Sequence, residues 1–290
     1  MAQHIVRGAS LPRLLYGTAW RANRTGELVE KAIKSGFTGI VTGGEGRNYN
    51  EKLVGQAVSK TIKDGVTSRE KLFIQTSFAV MSSAHEAENT ALNYDSSAPI
   101  HKQVLQSVEQ SLNNLQTDYI DALILSRPYR LSFDNEEVWG AFEELVASKK
   151  VRHIGISRVH DPEQLQQIYN NANVKPSIIT NRFYADNNYD PEIRQFAKNK
   201  QITYQSFWTL TGNPQVTNQI KYLVPEGKTV QQLWYKFVTQ LGIVPLTAPT
   251  TDDHFRQVSE VPDLPELSEE QFETIAAIAR NNLPRGTTFP

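Results

Sequence analysis

Short apolar runs alternate along this chain with longer stretches in which apolar residues recur every three or four positions. The runs at 14–19, 39–43, 72–78, 120–126, 153–158, 177–183, 202–208 and 243–247 read as eight strands. Most are apolar throughout rather than alternating, the pattern of strands covered on both faces. Between them, Leu28, Ala32 and Ile33 mark the buried stripe of one helix, and Val104, Leu105, Val108 and Leu112 that of another. Val138, Phe142, Leu145 and Val146 continue the series, then Leu165, Ile168 and Tyr169, then Ile193, Phe196 and Ala197, then Leu233, Phe237 and Val238. Asp161-Pro162 and Asp190-Pro191 have the form of helix starts with proline at the first helical position.

Eight strand–helix units predict an α/β fold, a closed (β/α)8 TIM barrel in one domain over 1–290. A C-terminal helix is expected over 267–282, capped by Ser268, with a tail beyond. The competing arrangement is a doubly wound open sheet. It lacks its signature, since Gly43-Gly44-Glu45-Gly46 does not have the Gly-x-Gly-x-x-Gly spacing of a dinucleotide turn. Two polar stretches, 81–97 and 212–228, follow the third and seventh strands. The first is expected on the catalytic face as a lid or substrate loop.

Charge narrows the partners. Thirty basic against 31 acidic residues leave a net charge of −1, which gives no electrostatic case for nucleic acid or an anionic membrane. No apolar run approaches the ~18 residues that span a bilayer. The amino terminus lacks the apolar core of a signal peptide, so the expected location is the cytoplasm and the expected partner a small-molecule substrate. The chain has no cysteine, and no His/Asp/Glu group has metal-ligand spacing, so no metal is expected.

Several local marks carry more. Tyr16-Gly17-Thr18-Ala19-Trp20 ends the first strand, and Gly36-Phe37-Thr38-Gly39-Ile40-Val41-Thr42 with Asn48-Tyr49-Asn50-Glu51 surrounds the second. Gln116 to Asp121, Lys150 to Ser157 and Asn181 to Asp186 mark the fourth, fifth and sixth. Over nearly its whole length the chain resembles the aldo-keto reductases, most of all a fungal branch of them. The resemblance implies the barrel, a carbonyl substrate and NADP(H).

It also implies a catalytic tetrad of Asp, Tyr, Lys and His, and here the sequence departs. The tyrosine matches Tyr49, but the Asp position holds Val41, the Lys position Ser77 and the His position Ser126. A phenol titrates near ~10 and needs a nearby cation to act as an acid at neutral pH. Three of four roles are therefore absent, although each substitution taken alone reads as simple filling. On the cofactor side, Thr18, Ser157, Asn181, Phe207, Leu246 and Thr247 match, while Arg158 stands where the family keeps Asn. Ala248-Pro249 replaces Gly-Thr in the phosphate segment, removing a backbone donor and glycine's freedom. The balance falls toward no cofactor, with weakened NADP(H) binding as the alternative.

Arg127 and Arg158 lie at strand ends that face a barrel's pocket. They are either ion-paired to Glu45 or Glu86, or serve as cations for an oxyanion. Glu45 can replace part of the missing Asp, His160 is a candidate acid or base, and Trp20 and Trp208 are candidate pocket walls. The leading expectation is a repurposed enzyme doing non-redox chemistry (cyclisation, isomerisation or dehydration) with Tyr49 and an arginine. The alternatives are an NADP(H)-dependent reductase with a reconfigured site, and a non-catalytic ligand-binding pseudoenzyme.

Overall fold

Eight parallel strands close into a barrel in the computed structural model, which describes residues 5–6, 9–81 and 91–283. They are β1 (Leu15–Gly17), β2 (Gly39–Val41), β3 (Phe73–Phe78), β4 (Ile120–Leu125), β5 (Val151–Ser157), β6 (Ile178–Arg182), β7 (Thr203–Phe207) and β8 (Val244–Thr247). Each pairs with the next, and β8 returns to β1 in the register Leu246↔Leu15. The barrel read from the sequence is the one observed, with strands a residue or two shorter at most ends.

The helices are α1 (Thr25–Lys34), α2 (Glu51–Lys63), α3 (Ile100–Leu115), α4 (Ser132–Ala147), α5 (Pro162–Asn171) and α6 (Pro191–Lys200). They continue with α7 (Pro214–Gln219), α8 (Val230–Gln240), α9 (Asp252–Ser259) and α10 (Glu269–Asn281). Asp161 caps α5 as expected, accepting from Glu163 N, and Ser268 opens α10 in a capping box. Asp190 does not cap α6. Its backbone is left-handed, and its carboxylate serves the network around Asn181 instead. The stretch 212–228 is not a bare loop: α7 lies inside it and packs against α8 and α10. A short hairpin pairs Ile5–Val6 with Ala9–Ser10, an element with no apolar period to announce it.

Strand alternation sorts the side chains into two cores. The larger lies between barrel and helices. The smaller fills the barrel and includes Leu15, Val41, Phe73, Ala122, Ile124, Ile178 and Val244. Above this plug the alternation turns polar. Gln75 and Gln205 exchange amide hydrogen bonds of 2.9 and 3.0 Å, and Thr180 Oγ1 donates to Gln205 Oε1 at 2.8 Å. A buried polar pair is tolerated only when its groups are satisfied, and these two amides satisfy each other. One step further along the same strands come Ser77, Phe207 and Arg182, at the carboxyl ends where a barrel builds its site.

Candidate active site

A cavity of about 510 Å³ opens at these carboxyl ends. Val41, Ile124, Gln75 and Thr180 contribute to it from the strands. Tyr49, Ser77, Ser126, Arg158, Glu45, Trp20 and Trp208 all line it.

Local structure fixes Tyr49. Asn50 caps α2, its Oδ1 accepting from Leu53 N at 3.0 Å, and Tyr49 N reaches back to Glu45 O at 3.2 Å. In the first turn, the buried Glu51 accepts from Thr76 Oγ1 at 2.6 Å, tying α2 to β3 one residue from Ser77. Burial pushes the Glu51 carboxyl up, partly offset by bonds from Thr76, Ser111 and Asn114. Gly43 explains the closeness of the two site residues. A methyl group there would stand 2.8 Å from Ser77 Oγ and 2.9 Å from the Tyr49 ring, so both side chains lie over its bare Cα.

Ser126 is a junction. Its Oγ accepts from Val80 N at 2.8 Å and its carbonyl accepts from Arg158 Nη1 at 3.2 Å. Arg158 has φ +53, and Trp20 and Trp208 have φ +56 and +58. Such left-handed non-glycine residues gather at functional sites. Here they turn the side chains that follow strands β1, β5 and β7 into the mouth. Burial raises the Tyr49 phenol above its ordinary value, Arg158 pulls it back down, and Glu45 adds to the rise. Glu45 is itself held by Asn48, whose Oδ1 accepts from Trp20 Nε1 at 2.9 Å.

The expected cofactor residues divide. Ser157, Phe207, Leu246 and Thr247 line the same cavity. Thr18 and Asn181 do not. Thr18 Oγ1 donates to Val41 O, and Asn181 bonds Val159 and the Asp190 carboxylate, so both are spent on structure. The Ala248-Pro249 turn is fastened by Arg21, which donates to Ala248 O at 2.8 Å, and by Tyr16, whose hydroxyl meets Pro249 O at 3.4 Å. Two cavity-lining residues, Arg21 and Thr42, carry buried polar atoms, Nε and Oγ1, without a hydrogen-bond partner. Donors of this kind suit a polar ligand.

Two further expectations are corrected. His160 is not a pocket residue: its Nδ1 lies 3.2 Å from Asp190 Oδ1, beside Asn181 and away from the cavity lining. Arg127 does not line the cavity either, although its charge is felt at Arg158. Glu86, the suggested partner of these arginines, lies outside the described residues, as do residues 82–90 of the expected lid. The end of that stretch meets the site, since Ala91 O accepts from Gly46 N at 2.8 Å. The sequence reading missed the Gln75–Gln205 pair, Gly43, Arg21 and Arg182. Glutamines placed alike in Gln75-Thr76-Ser77-Phe78 and Gln205-Ser206-Phe207 were the available signal for the first of these.

Residues 16–219 match the aldo/keto reductase family, and the chain belongs to that family. It is 27% identical to aldo-keto reductase family 4 member C11 of Arabidopsis thaliana, covering 97% of this chain and 90% of the relative. It is 26% identical to an NAD(P)H-dependent D-xylose reductase of Scheffersomyces stipitis, covering 94% and 92%. Among solved structures, the aldose reductase of Schistosoma japonicum superposes with a TM-score of 0.78 at 20% identity over 97% of this chain and 92% of that one. A Bombyx mori aldo-keto reductase in complex with NADP gives 0.75 at 20% identity, over 93% and 90%. These findings overturn the leaning toward no cofactor. The xylose reductase is named for NAD(P)H and the silkworm protein holds NADP in the same fold. The two changes behind that leaning, Arg158 and Ala248-Pro249, leave the lining formed by Ser157, Phe207 and Thr247 in place.

Proposed function

We propose that this protein is a slow, NADP(H)-dependent carbonyl reductase whose proton transfer rests on Tyr49 and Arg158. The observation that carries the reading is their placement. Both line one cavity with Ser157, Phe207, Leu246 and Thr247, and Arg158 is the cation that most lowers the Tyr49 pKa. Those four residues would hold the dinucleotide, which when bound supplies the hydride. Tyr49, a phenol protonated at neutral pH and raised further by burial, donates its proton to the carbonyl oxygen. Arg158 stabilises the developing oxyanion and then the phenolate, and stays charged throughout. Ser77 and Ser126 supply neither a cation nor an imidazole, and the Ser126 oxygen already accepts from Val80 N. Each missing acid–base role is worth ~10²–10⁴ in rate, so turnover is expected below ~1 s⁻¹.

One observation favours a second reading, carbonyl chemistry without hydride transfer. Val41 is buried and belongs to the apolar plug, so the carboxylate that would tune a reductase tyrosine is replaced by packing. Calorimetric titration with NADPH, followed by NADPH oxidation over a panel of aldehydes and ketones, separates the readings. The expected result is binding, and slow oxidation that falls by ~10²-fold in Tyr49→Phe. Binding without oxidation, while a carbonyl compound rearranges, selects the second reading. A protein that neither binds NADPH nor converts a carbonyl is a ligand-binding pseudoenzyme.

A further inference from the structure

The cavity does not end beside Tyr49. Past Leu246 and Thr247 its lining continues along Ala248 and Pro249 to His254 and Gln257 of α9 and to Gln231 and Tyr235 of α8. A dinucleotide whose hydride end lies by Tyr49, and which rests on Leu246 and Thr247, has this lobe for its other end. Arg21 stands where the lobe begins. It lines the cavity, its Nη2 donates to Ala248 O at 2.8 Å, and its buried Nε has no hydrogen-bond partner. A buried donor on a cation is costly to leave unmade and calls for an acceptor.

Beyond Arg21 the lobe is neutral. Among the described residues, the whole cavity lining holds no lysine, and its other arginine, Arg158, lies at the Tyr49 end. The amino terminus of α9 does not make up for this. Thr251 Oγ1 already accepts from His254 N at 3.4 Å, and Asp252 and Asp253 put two carboxylates in the first turn. These complement the helix dipole and repel a further anion. The cations beside them are matched as well: Lys31 reaches Asp252 at 2.7 Å, and Arg256 lies 3.5 Å from both Asp253 and Glu260.

We infer that Arg21 binds the diphosphate of a nicotinamide dinucleotide and that the lobe beyond it leaves the adenosine ribose unread, so that NADPH binds no more tightly than NADH. The inference rests on the cofactor placement in the proposed reductase reading and adds which dinucleotide the site takes. The two cofactors differ by one phosphate on that ribose. The diphosphate is common to both, so the cation that meets it does not tell them apart. A phosphate dianion is selected by cations that pair with it, each charge-assisted bond being worth about tenfold or more. Here the lobe offers it neutral groups, with Asp252 and Asp253 next to His254.

The test is calorimetric titration of the full chain with NADH and with NADPH at pH 8, where an imidazole is neutral. The dissociation constant for NADPH is expected to equal that for NADH within about threefold, or to exceed it. In Arg21→Gln both cofactors weaken together by about tenfold and their ratio holds, and in Arg21→Lys part of the affinity returns. In His254→Arg, which puts a cation on the exposed first turn of α9, NADPH gains about tenfold over NADH. Circular dichroism and melting curves show that each variant is folded. NADPH about tenfold tighter than NADH in the unaltered chain would overturn the inference. So would a loss confined to NADPH in Arg21→Gln, no loss there for either cofactor, or an unchanged ratio in His254→Arg. Binding of neither cofactor overturns the inference and the reductase reading together. Equal binding of both, with neither oxidised by a carbonyl compound, overturns the reductase reading alone.

Discussion

The two ends of the barrel use arginine in opposite ways. At the amino-terminal end, Asp121 is buried and accepts from Ile74 N at 3.0 Å. Arg69 and Arg152 reach it at 2.7 and 3.1 Å and stack on Tyr119 at 3.9 and 3.8 Å. Arg69 spends its other donors on Thr117 Oγ1 and on the carbonyls of Leu72 and Tyr119. At the carboxyl end, Arg158 and Arg182 lean on aromatic rings, and among the described residues neither has a carboxylate within 4 Å. One end therefore spends its charges on stability, and the other leaves its guanidiniums against aromatic rings beside the cavity.

The contrast can be broken most forcefully at Asp121. Asp121→Ala leaves Arg69 buried and unpaired, and should lower stability by about 3–5 kcal/mol in urea unfolding. Arg182→Gln at the other end should cost less than about 1 kcal/mol. Equal losses would erase the distinction. Tyr49→Phe is next, with turnover down ~10²-fold and the unfolding midpoint unchanged. Gly43→Ala should follow. Its methyl group collides with Ser77 Oγ and the Tyr49 ring, and an ångström-scale displacement of a reacting group costs up to ~10²-fold. A Gly43→Ala enzyme with full turnover would show that Tyr49 does not need its present position.

The smallest effect expected is in the pH profile. In the proposed mechanism Tyr49 acts while protonated, and its folded pKa is raised, so the acid-dependent rate is expected to hold through neutrality and to fall only as pH climbs past that raised value. Removing the cation in Arg158→Gln takes away the lowering influence, so the alkaline limb moves to higher pH. Glu45→Gln removes a raising influence and moves the limb to lower pH. Limbs that move together, or not at all, would detach Tyr49 from the titration.

The barrel was legible because β-strands covered on both faces leave unbroken apolar runs, and seven of the eight runs carry the pairing register with little trimming. β1 is the exception, keeping only Leu15–Gly17 of the expected 14–19 because Thr18 and Ala19 already turn into the mouth. The family register set Tyr49, Ser77 and Ser126 at the mouth, and all three line the cavity there. What was hidden depends on contacts far apart in sequence. Nothing near His160 or Asn181 says that Asp190 will claim both. Nothing near Gln75 says that its amide finds Gln205, and nothing near Arg182 says that the Trp208 ring will lie against it. The cofactor expectation failed because Arg158 and Ala248-Pro249 were weighed as losses one by one, while the wall formed by Ser157, Phe207 and Thr247 persists.

The central claim is that this mouth transfers hydride through a site rebuilt around Tyr49 and Arg158. The most direct measurement uses NADPH deuterated at the nicotinamide carbon that donates hydride, incubated with the protein and a panel of aldehydes and ketones, with the products weighed by mass spectrometry. The account expects one deuterium on the former carbonyl carbon, and none in Tyr49→Phe over the same time. A product that forms without deuterium, or that forms equally well without NADPH, would contradict it.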